Sequence, residues 1–120
     1  MSHPIVHIEL SAHDHKQAAR FYSDVFGWKM KEYPEMNYTT FEAEKGSVGG
    51  GFNPISDQNP AGTVMVYIHT DDLEATLAKI EKNGGKIILP GLDIPDVGRM
   101  AVFSDPTGNK IALLRPLENM

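Results

Sequence analysis

The chain has 120 residues, 41% of them hydrophobic and 22% charged, which is typical of one globular domain with a single core. A formal charge of −5 and the lack of a basic run argue against a nucleic-acid partner and against binding to an anionic membrane. The absence of cysteine excludes disulfides, thiolate metal sites and a cysteine nucleophile, and the sequence, without a leader or a membrane-length apolar run, predicts a cytoplasmic protein.

A strand followed by a helix opens the predicted fold. Ile5–Ser11 alternates between apolar and polar residues, which is typical of a half-buried strand with His7 and Glu9 on the face away from the core. Asp14 begins an Asp-x-x-Gln helix start, and Gly27 ends the helical run. Three more strands are predicted over residues 28–33, 38–44 and 48–52, which makes residues 4–53 one βαβββ module.

The same order of elements returns later in the chain, after a predicted linker over residues 54–62. Laying the two copies together matches Asp14 with Asp72 and Gly27 with Gly85, 58 positions apart. A repeated supersecondary unit in so short a chain predicts two modules that share one core. The second module, residues 63–117, has predicted strands over 64–69, 86–89, 99–103 and 110–114, with a proline-containing connection over 90–97.

Two modules of this order, with His-x6-Asp starting at His7 and Asp-Pro-x-Gly-Asn starting at Asp105, resemble the vicinal oxygen chelate superfamily. That family includes glyoxalase I, extradiol dioxygenases, fosfomycin-modifying enzymes and bleomycin-binding proteins. The resemblance covers about residues 7–116 and is strongest, over residues 97–109, to the glyoxalase-related, lactoylglutathione-lyase-like branch. It implies an α+β domain over residues 1–120, in which the two modules form a cup-shaped sheet of mixed and antiparallel strands, and a homodimer.

Metal binding is where this sequence departs from the family. The first and last strand of each module supply the family's ligands, and these positions are here His7, Gly50, Met65 and Ala112. Only His7 offers a ligand for Zn, Ni, Fe or Mn, because glycine and alanine have no side-chain donor and a thioether suits softer ions. The resemblance therefore predicts no complete metal site and no cofactor. A divalent metal is the disfavoured alternative, with His7, Glu9 and His69 as its candidate ligands.

Candidate ligand-binding residues follow from strand alternation. Glu9 and His7 lie two residues apart on one strand face, which favours Glu9 as a general base and His7 as a residue that orients the substrate. The alternative is a solvated carboxylate beside a histidine that only forms hydrogen bonds. Tyr67 and His69 share a face with Met65. The candidate ligand-binding residues are His7, Glu9, Met65, Tyr67, His69 and Arg99.

Several other residues have two interpretations. Arg99 either fixes an anionic group of a ligand or lies at a strand edge. Gly49–Gly51 lacks the helix and the Lys-Ser/Thr of a phosphate loop, which favours a closely approached strand. His3, His13 and His15 are predicted to be exposed, and the core between helices and sheet is predicted to include the side chains of Phe21, Tyr22, Phe26, Leu73, Leu77 and Ile80.

Three functions are consistent with these features. The first is a small-molecule-binding, glyoxalase-like lyase or isomerase that works without metal. The second is a non-catalytic protein that sequesters a drug or metabolite, as bleomycin-binding relatives do. The third is a true metal-dependent glyoxalase I, which requires stoichiometric metal in the purified protein.

Overall fold

The computed structural model of the chain describes residues 2–57 and 59–117. Within these ranges it contains eight strands and two α-helices in two βαβββ repeats, which confirms the predicted α+β fold. The chain divides into two compact units, His7–Met65 and a second one made of Met1–Val6 and Val66–Met120. No helix among the described residues combines the length and the apolar character that a membrane crossing requires.

The first module has a four-stranded sheet in the order β2-β3-β4-β1. β1 and β4 are parallel, whereas β2, β3 and β4 pair antiparallel. A 3₁₀ turn joins β2 to β3. The elements are β1 (Ile5–Ala12), α1 (His15–Phe26), β2 (Lys29–Tyr33), the turn Pro34–Met36, β3 (Tyr38–Glu42) and β4 (Gly49–Pro54).

Helix α1 begins and ends where the sequence predicts. The Asp14 carboxylate accepts hydrogen bonds from the backbone N–H groups of Lys16 and Gln17, and these bonds hold the pKa of Asp14 below its usual value. Gly27 ends the helix in the left-handed conformation, at φ 74°, which a residue without Cβ adopts at little cost. Both ends of the helix are therefore fixed by local sequence.

The core of the first module is largely aromatic. Tyr22 of α1 stacks on Trp28 with ring centroids 5.0 Å apart, and Trp28 stacks in turn on Phe41 at 4.6 Å. The prediction that Phe21 and Phe26 are core residues is wrong, because they are 56% and 58% exposed. The buried stripe of α1 is narrow, and these two side chains flank Tyr22 at its edges.

The second module repeats this arrangement with the strand order β5-β8-β7-β6. β5 and β8 are parallel, and the other pairs are antiparallel. Asp72 caps the helix by accepting a hydrogen bond from the backbone N–H of Ala75. The elements are β5 (Val64–His69), α2 (Leu73–Lys82), β6 (Lys86–Ile94), β7 (Gly98–Ser104) and β8 (Lys110–Pro116).

The core of the second module is aliphatic and tightly closed. Leu73, at the start of α2, and Ala101 of β7 have no exposed surface, and Leu113 of β8 is almost fully buried. Leu77 and Ile80 of α2 pack against this cluster, as the helical spacing predicts. Burial of a leucine of this kind contributes about 1.5–3 kcal/mol.

Strand β6 is longer than predicted. The connection expected over residues 90–97 is wrong, because β6 continues through Pro90 to Ile94 and pairs with β7 over most of its length. Its register shifts twice, between Ile87 and Leu89 and between Leu89 and Leu92. A strand at the end of a sheet tolerates proline when bulges interrupt its ladder, because the missing N–H is then not needed.

Candidate functional site

The face of the first sheet that turns away from α1 carries the polar residues of β1. Leu10 and Ala12 pack into the core with α1, so alternation places His7 and Glu9 on the other face. The parallel pairing of β1 with β4 sets Glu9 beside Gly51 and His7 beside Gly49. We refer to this surface as the polar face of the first module.

His7, Glu9 and Tyr38 form a hydrogen-bonded cluster on the polar face. The Tyr38 hydroxyl donates to Glu9 Oε2 at 2.5 Å, and His7 Nε2 lies 2.7 Å from the same oxygen. His7 Nε2 and the Tyr38 hydroxyl are 3.2 Å apart. Glu9 is only 6% exposed, so a carboxylate is held beneath the surface by two neighbours. The alternation of β1 predicts that His7 and Glu9 lie together, whereas no sequence pattern predicts the contact with Tyr38.

Gly51 makes room for the Tyr38 side chain. A Cβ atom added at Gly51 would lie 1.8 Å from the Tyr38 hydroxyl oxygen and 2.2 Å from its ring carbon Cζ. Any larger residue would therefore displace the phenol from Glu9. Gly49–Gly51 lies inside β4 and at its start, consistent with a closely approached strand rather than a phosphate loop.

The two oxygens of the Glu9 carboxylate differ in their surroundings. Both hydrogen bonds end on Oε2, and Oε1 accepts none from the residues that the structure describes. No fully buried side-chain nitrogen or oxygen in the described ranges lacks a partner, so Oε1 must retain some contact with solvent. Glu9 thus presents one unused acceptor oxygen at the polar face, while its other oxygen is anchored.

Aromatic and cationic groups lie beside the cluster on the same face. Tyr33 of β2 is directly opposite Tyr38 of β3, and their ring centroids are 6.4 Å apart. The Lys31 ammonium lies over the Tyr33 ring, 5.3 Å from its centroid. The polar face therefore combines an acid, an imidazole, two phenol rings and a cation within one small sheet.

The expected metal positions do not provide a donor set. A Cβ at Gly50 would lie 2.6 Å from Phe41 Cζ, so this position points into the core with α1 and not towards His7. Glu9 and Tyr67 are equivalent positions of the two modules. Glu9 pairs with Gly51 and Tyr67 pairs with Ala112, so the first-module equivalent of Ala112 is Gly51 and not Gly50. Gly51 has no donor either.

Ala112 is fully buried, and Met65 is half-buried and offers only a thioether. Among residues 2–57 and 59–117, no three His, Asp or Glu side chains lie close enough to hold a metal ion. These side chains do not fit a divalent metal of the kind that the family uses. The predicted lack of a cofactor is not tested by this and stays a prediction.

The second module places Tyr67 and His69 on the face of its sheet that turns away from α2. Tyr67 lies beside Ala112 on β8 and is half-buried. His69 Nε2 is 3.6 Å from a carboxylate oxygen of the exposed Asp71. Both residues therefore occupy the sheet face on which they were predicted, whereas a role in ligand binding stays a prediction.

Arg99 does not share that face. It alternates along β7 with Ala101, which packs against α2, so Arg99 lies on the helix side of the sheet. Its guanidinium Nη1 is 2.7 Å from a carboxylate oxygen of Asp93 on β6. Arg99 therefore lies on the opposite face of the sheet from Tyr67 and His69, and its role in ligand binding stays a prediction.

His15 is also placed differently from the prediction that it is exposed. Its Nδ1 is 2.6 Å from the hydroxyl of the fully buried Thr39, and its Nε2 donates to Asn37 Oδ1 at 2.9 Å. His15 therefore ties the start of α1 to the beginning of β3. His3 and His13 are exposed, as predicted.

The chain belongs to the Glyoxalase/Bleomycin resistance protein/Dioxygenase superfamily, whose family model matches residues 4–113. This confirms the resemblance inferred from the His7 and Asp105 motifs. The reaction is not identified by membership, because one fold supports many chemistries.

Individual relatives differ in length and description. A glyoxylase-like domain-containing protein of Didymella fabae is 35% identical over 114 residues, which cover 88% of each chain. The anthracycline biosynthesis protein DnrV of Streptomyces peucetius is 31% identical over 123 residues, which cover 89% of this chain and 45% of DnrV. The chain spans less than half the length of DnrV and of a related Mycobacterium bovis protein, of which 43% is covered.

Solved structures share the fold at low sequence identity. A hypothetical protein of Bacillus halodurans superposes with a TM-score of 0.75 at 17% identity, covering 98% of this chain and 97% of the other. The methylmalonyl-CoA epimerase of Mycobacterium tuberculosis gives a TM-score of 0.73 at 13% identity, covering 96% and 89%. These likenesses establish the fold alone, and the homodimer and the small-molecule ligand stay predictions.

Proposed function

We propose that the first module binds a small organic molecule on its polar face and that Glu9 acts there as a general base in a metal-independent lyase or isomerase reaction. The observation that carries this proposal is the Glu9 carboxylate, which is 6% exposed and anchored through Oε2, while no residue within 2–57 and 59–117 donates a hydrogen bond to its Oε1. Because the carboxylate is held in one orientation, a lone pair of Oε1 points at a molecule bound on the polar face.

The surroundings of Glu9 suit proton transfer. Two polar groups, the Tyr38 hydroxyl and the His7 imidazole, satisfy Oε2 and fix the orientation of the carboxylate. A positioned base of this kind contributes about 10²–10⁴-fold to a reaction rate. His7 is partly exposed, with 27% of its side-chain surface accessible, and so is able to contact a ligand as well as Glu9.

A metal-dependent glyoxalase I is the less supported alternative. The metal in such an enzyme polarises the oxygens of the substrate. The residues at the family's ligand positions other than His7 are Gly51, Met65 and Ala112, and they supply no ligand suited to that ion. We therefore assign no step of the reaction to a metal.

Non-catalytic binding is the second candidate, and the aromatic part of the polar face favours it. Tyr33 and Tyr38 present neighbouring rings, and Glu9 adds a negative charge next to them. Rings and a carboxylate together suit a flat cationic drug or metabolite. This function requires saturable binding without turnover.

Exchange of carbon-bound hydrogen for deuterium distinguishes the two candidates. The protein is incubated in D₂O with the methylglyoxal–glutathione hemithioacetal and with a panel of ketones and thioesters, and exchange next to the carbonyl is followed by proton NMR. We expect catalysed exchange of at least one compound and a loss of about 100-fold or more in Glu9→Gln.

The matched control is Glu42→Gln, which changes an exposed glutamate of β3 on the same face. It should retain the exchange rate, and both variants should keep the melting temperature of the wild type. Saturable ligand binding without exchange would favour the binding protein, and exchange that persists in Glu9→Gln would exclude Glu9 as the base.

A further inference from the structure

The Tyr38 hydroxyl lies directly beside the Glu9 carboxylate on the polar face. It donates to Glu9 Oε2 at 2.5 Å and lies 3.2 Å from His7 Nε2. Gly51 keeps the space around the hydroxyl open, because a Cβ there would overlap it. Tyr38 is therefore held at the base by the fold and does not merely lie on the surface.

We propose that Tyr38 is a further catalytic residue, which donates a hydrogen bond to the enolate oxygen formed when Glu9 removes a proton. This inference rests on the proposed function and adds the residue that stabilises the charge formed on the substrate. The substrate is a carbon acid, namely a ketone, aldehyde or thioester with a C–H bond next to its carbonyl group.

The proton transfer itself explains why Tyr38 becomes available. While Glu9 is ionised, its anionic Oε2 holds the phenol in a charge-assisted hydrogen bond. Once Oε1 has accepted a proton, the carboxyl group is neutral, and hydrogen bonds to a neutral acceptor are about half as strong. The negative charge has then moved to the substrate oxygen, so the phenol is drawn towards it.

The step is balanced without any co-reactant. The substrate C–H bond breaks and an O–H bond forms at Glu9 Oε1. The electron pair of the C–H bond becomes the carbon–carbon π bond of the enolate, and the carbonyl π pair moves to oxygen. Tyr38 keeps its proton throughout, because it acts only as a hydrogen-bond donor. Return of the Glu9 proton to carbon or oxygen completes an isomerisation.

In this role Tyr38 takes the place of a metal ion, which would polarise the carbonyl group of the substrate. The family's ligand positions cannot hold such an ion here, because Gly51 and Ala112 have no side-chain donor. A phenol placed beside a carboxylate base provides the same stabilisation of developing charge by hydrogen bonding. Tyr38 and Glu9 then act as an acid–base pair within one module.

The test uses propionate 3-nitronate, a stable anion whose planar nitronate group resembles an enolate. Its dissociation constant is measured by isothermal titration calorimetry for the wild type, Tyr38→Phe, Gly51→Ala, Glu9→Gln and Tyr22→Phe. Tyr22 is the matched control because its ring packs in the core with α1, on the side of the sheet away from the polar face. Thermal melting verifies that each variant is folded.

We expect Tyr38→Phe to weaken nitronate binding by about tenfold or more, as for the loss of one hydrogen bond to a charged group. Tyr22→Phe should change it by less than about twofold. Glu9→Gln should bind more tightly than the wild type, because the neutral amide resembles the protonated acid and no longer repels the anion. Gly51→Ala, which displaces the phenol, should reproduce the effect of Tyr38→Phe.

The outcomes separate this inference from the proposed function. Tyr38-dependent nitronate binding supports the inference even if no compound in the panel exchanges deuterium. Failure of the wild type to bind the nitronate, or equal binding by Tyr38→Phe, overturns it. Loss of exchange in Glu9→Gln together with unchanged exchange in Tyr38→Phe would leave Glu9 as the base and remove Tyr38 from the reaction.

Discussion

The two modules follow one plan but use it differently. Asp14 and Asp72 cap their helices in the same way. In each module the strands that come first and last along the chain lie side by side and run parallel. On the sheet face away from the helix, Glu9 is replaced by Tyr67, and Tyr38 by Met100. Positions that repeat build the fold, whereas positions that differ form the hydrogen-bonded cluster of the first module.

The first turn of each helix shows the same contrast. His15 of α1 and Leu73 of α2 both directly follow the capping aspartate. His15 forms hydrogen bonds with Thr39 and Asn37, while Leu73 is fully buried among apolar side chains. The first module joins helix and sheet through a polar contact, and the second module does so through hydrophobic packing.

The largest effect is expected at the apolar member of this pair. Leu73→Ala removes a fully buried side chain and leaves a cavity, so it should lower the free energy of unfolding by about 2–5 kcal/mol. Urea denaturation measures the change. Leu92→Ala is the control, because Leu92 is half exposed on β6. A loss below about 1 kcal/mol in Leu73→Ala would show that the second core is less close-packed than described.

A smaller effect is expected at the polar member. His15→Ala leaves the buried Thr39 hydroxyl without its partner on α1 and should cost about 1–3 kcal/mol of unfolding free energy. His13→Ala, at an exposed position two residues earlier, should have almost no effect. If the two variants unfold at the same urea concentration, the hydrogen bonds of His15 do not stabilise the first module.

The smallest effect concerns the cap of α1 and depends on pH. The pKa of Asp14 is lowered in the folded chain, chiefly by the backbone N–H of Gln17, so the ionised carboxylate stabilises the fold. That stabilisation is present above the unfolded-state pKa and is lost as the pH falls through the folded-state pKa. Asp14→Ala should therefore be less stable than the wild type at neutral pH.

This difference should shrink in acid, and thermal melts across the acidic range measure it. Asp24→Ala, at an exposed position later in the same helix, is the control and should show no such pH dependence. A deficit in Asp14→Ala that stays constant at all pH values would mean that the cap acts without its charge.

Local sequence was sufficient to predict most of the elements. Asp14 and Gly27 mark the helix ends because capping depends on neighbouring residues only. Pro90 misled the prediction of β6, since its tolerance depends on bulges and on the strand's place in the sheet. Phe21 and Phe26 have helical spacing typical of a core, but the width of the buried stripe is set by the sheet beneath α1.

The candidate site was only partly predictable for a similar reason. His7 and Glu9 meet through alternation within one strand, which a sequence reveals directly. Tyr38 reaches Glu9 across two intervening strand pairings, and no local pattern encodes that contact.

The course of β6 has a consequence for the behaviour of the protein in concentrated solution. An outer strand with a regular row of free N–H and C=O groups invites strands from other molecules to add to the sheet. Pro90 has no backbone N–H to donate to an added strand, and two register shifts, one before Pro90 and one that spans it, make β6 irregular. Growth of the second sheet by strand addition is thereby hindered, although Ile88 and Leu92 on the same strand are half exposed.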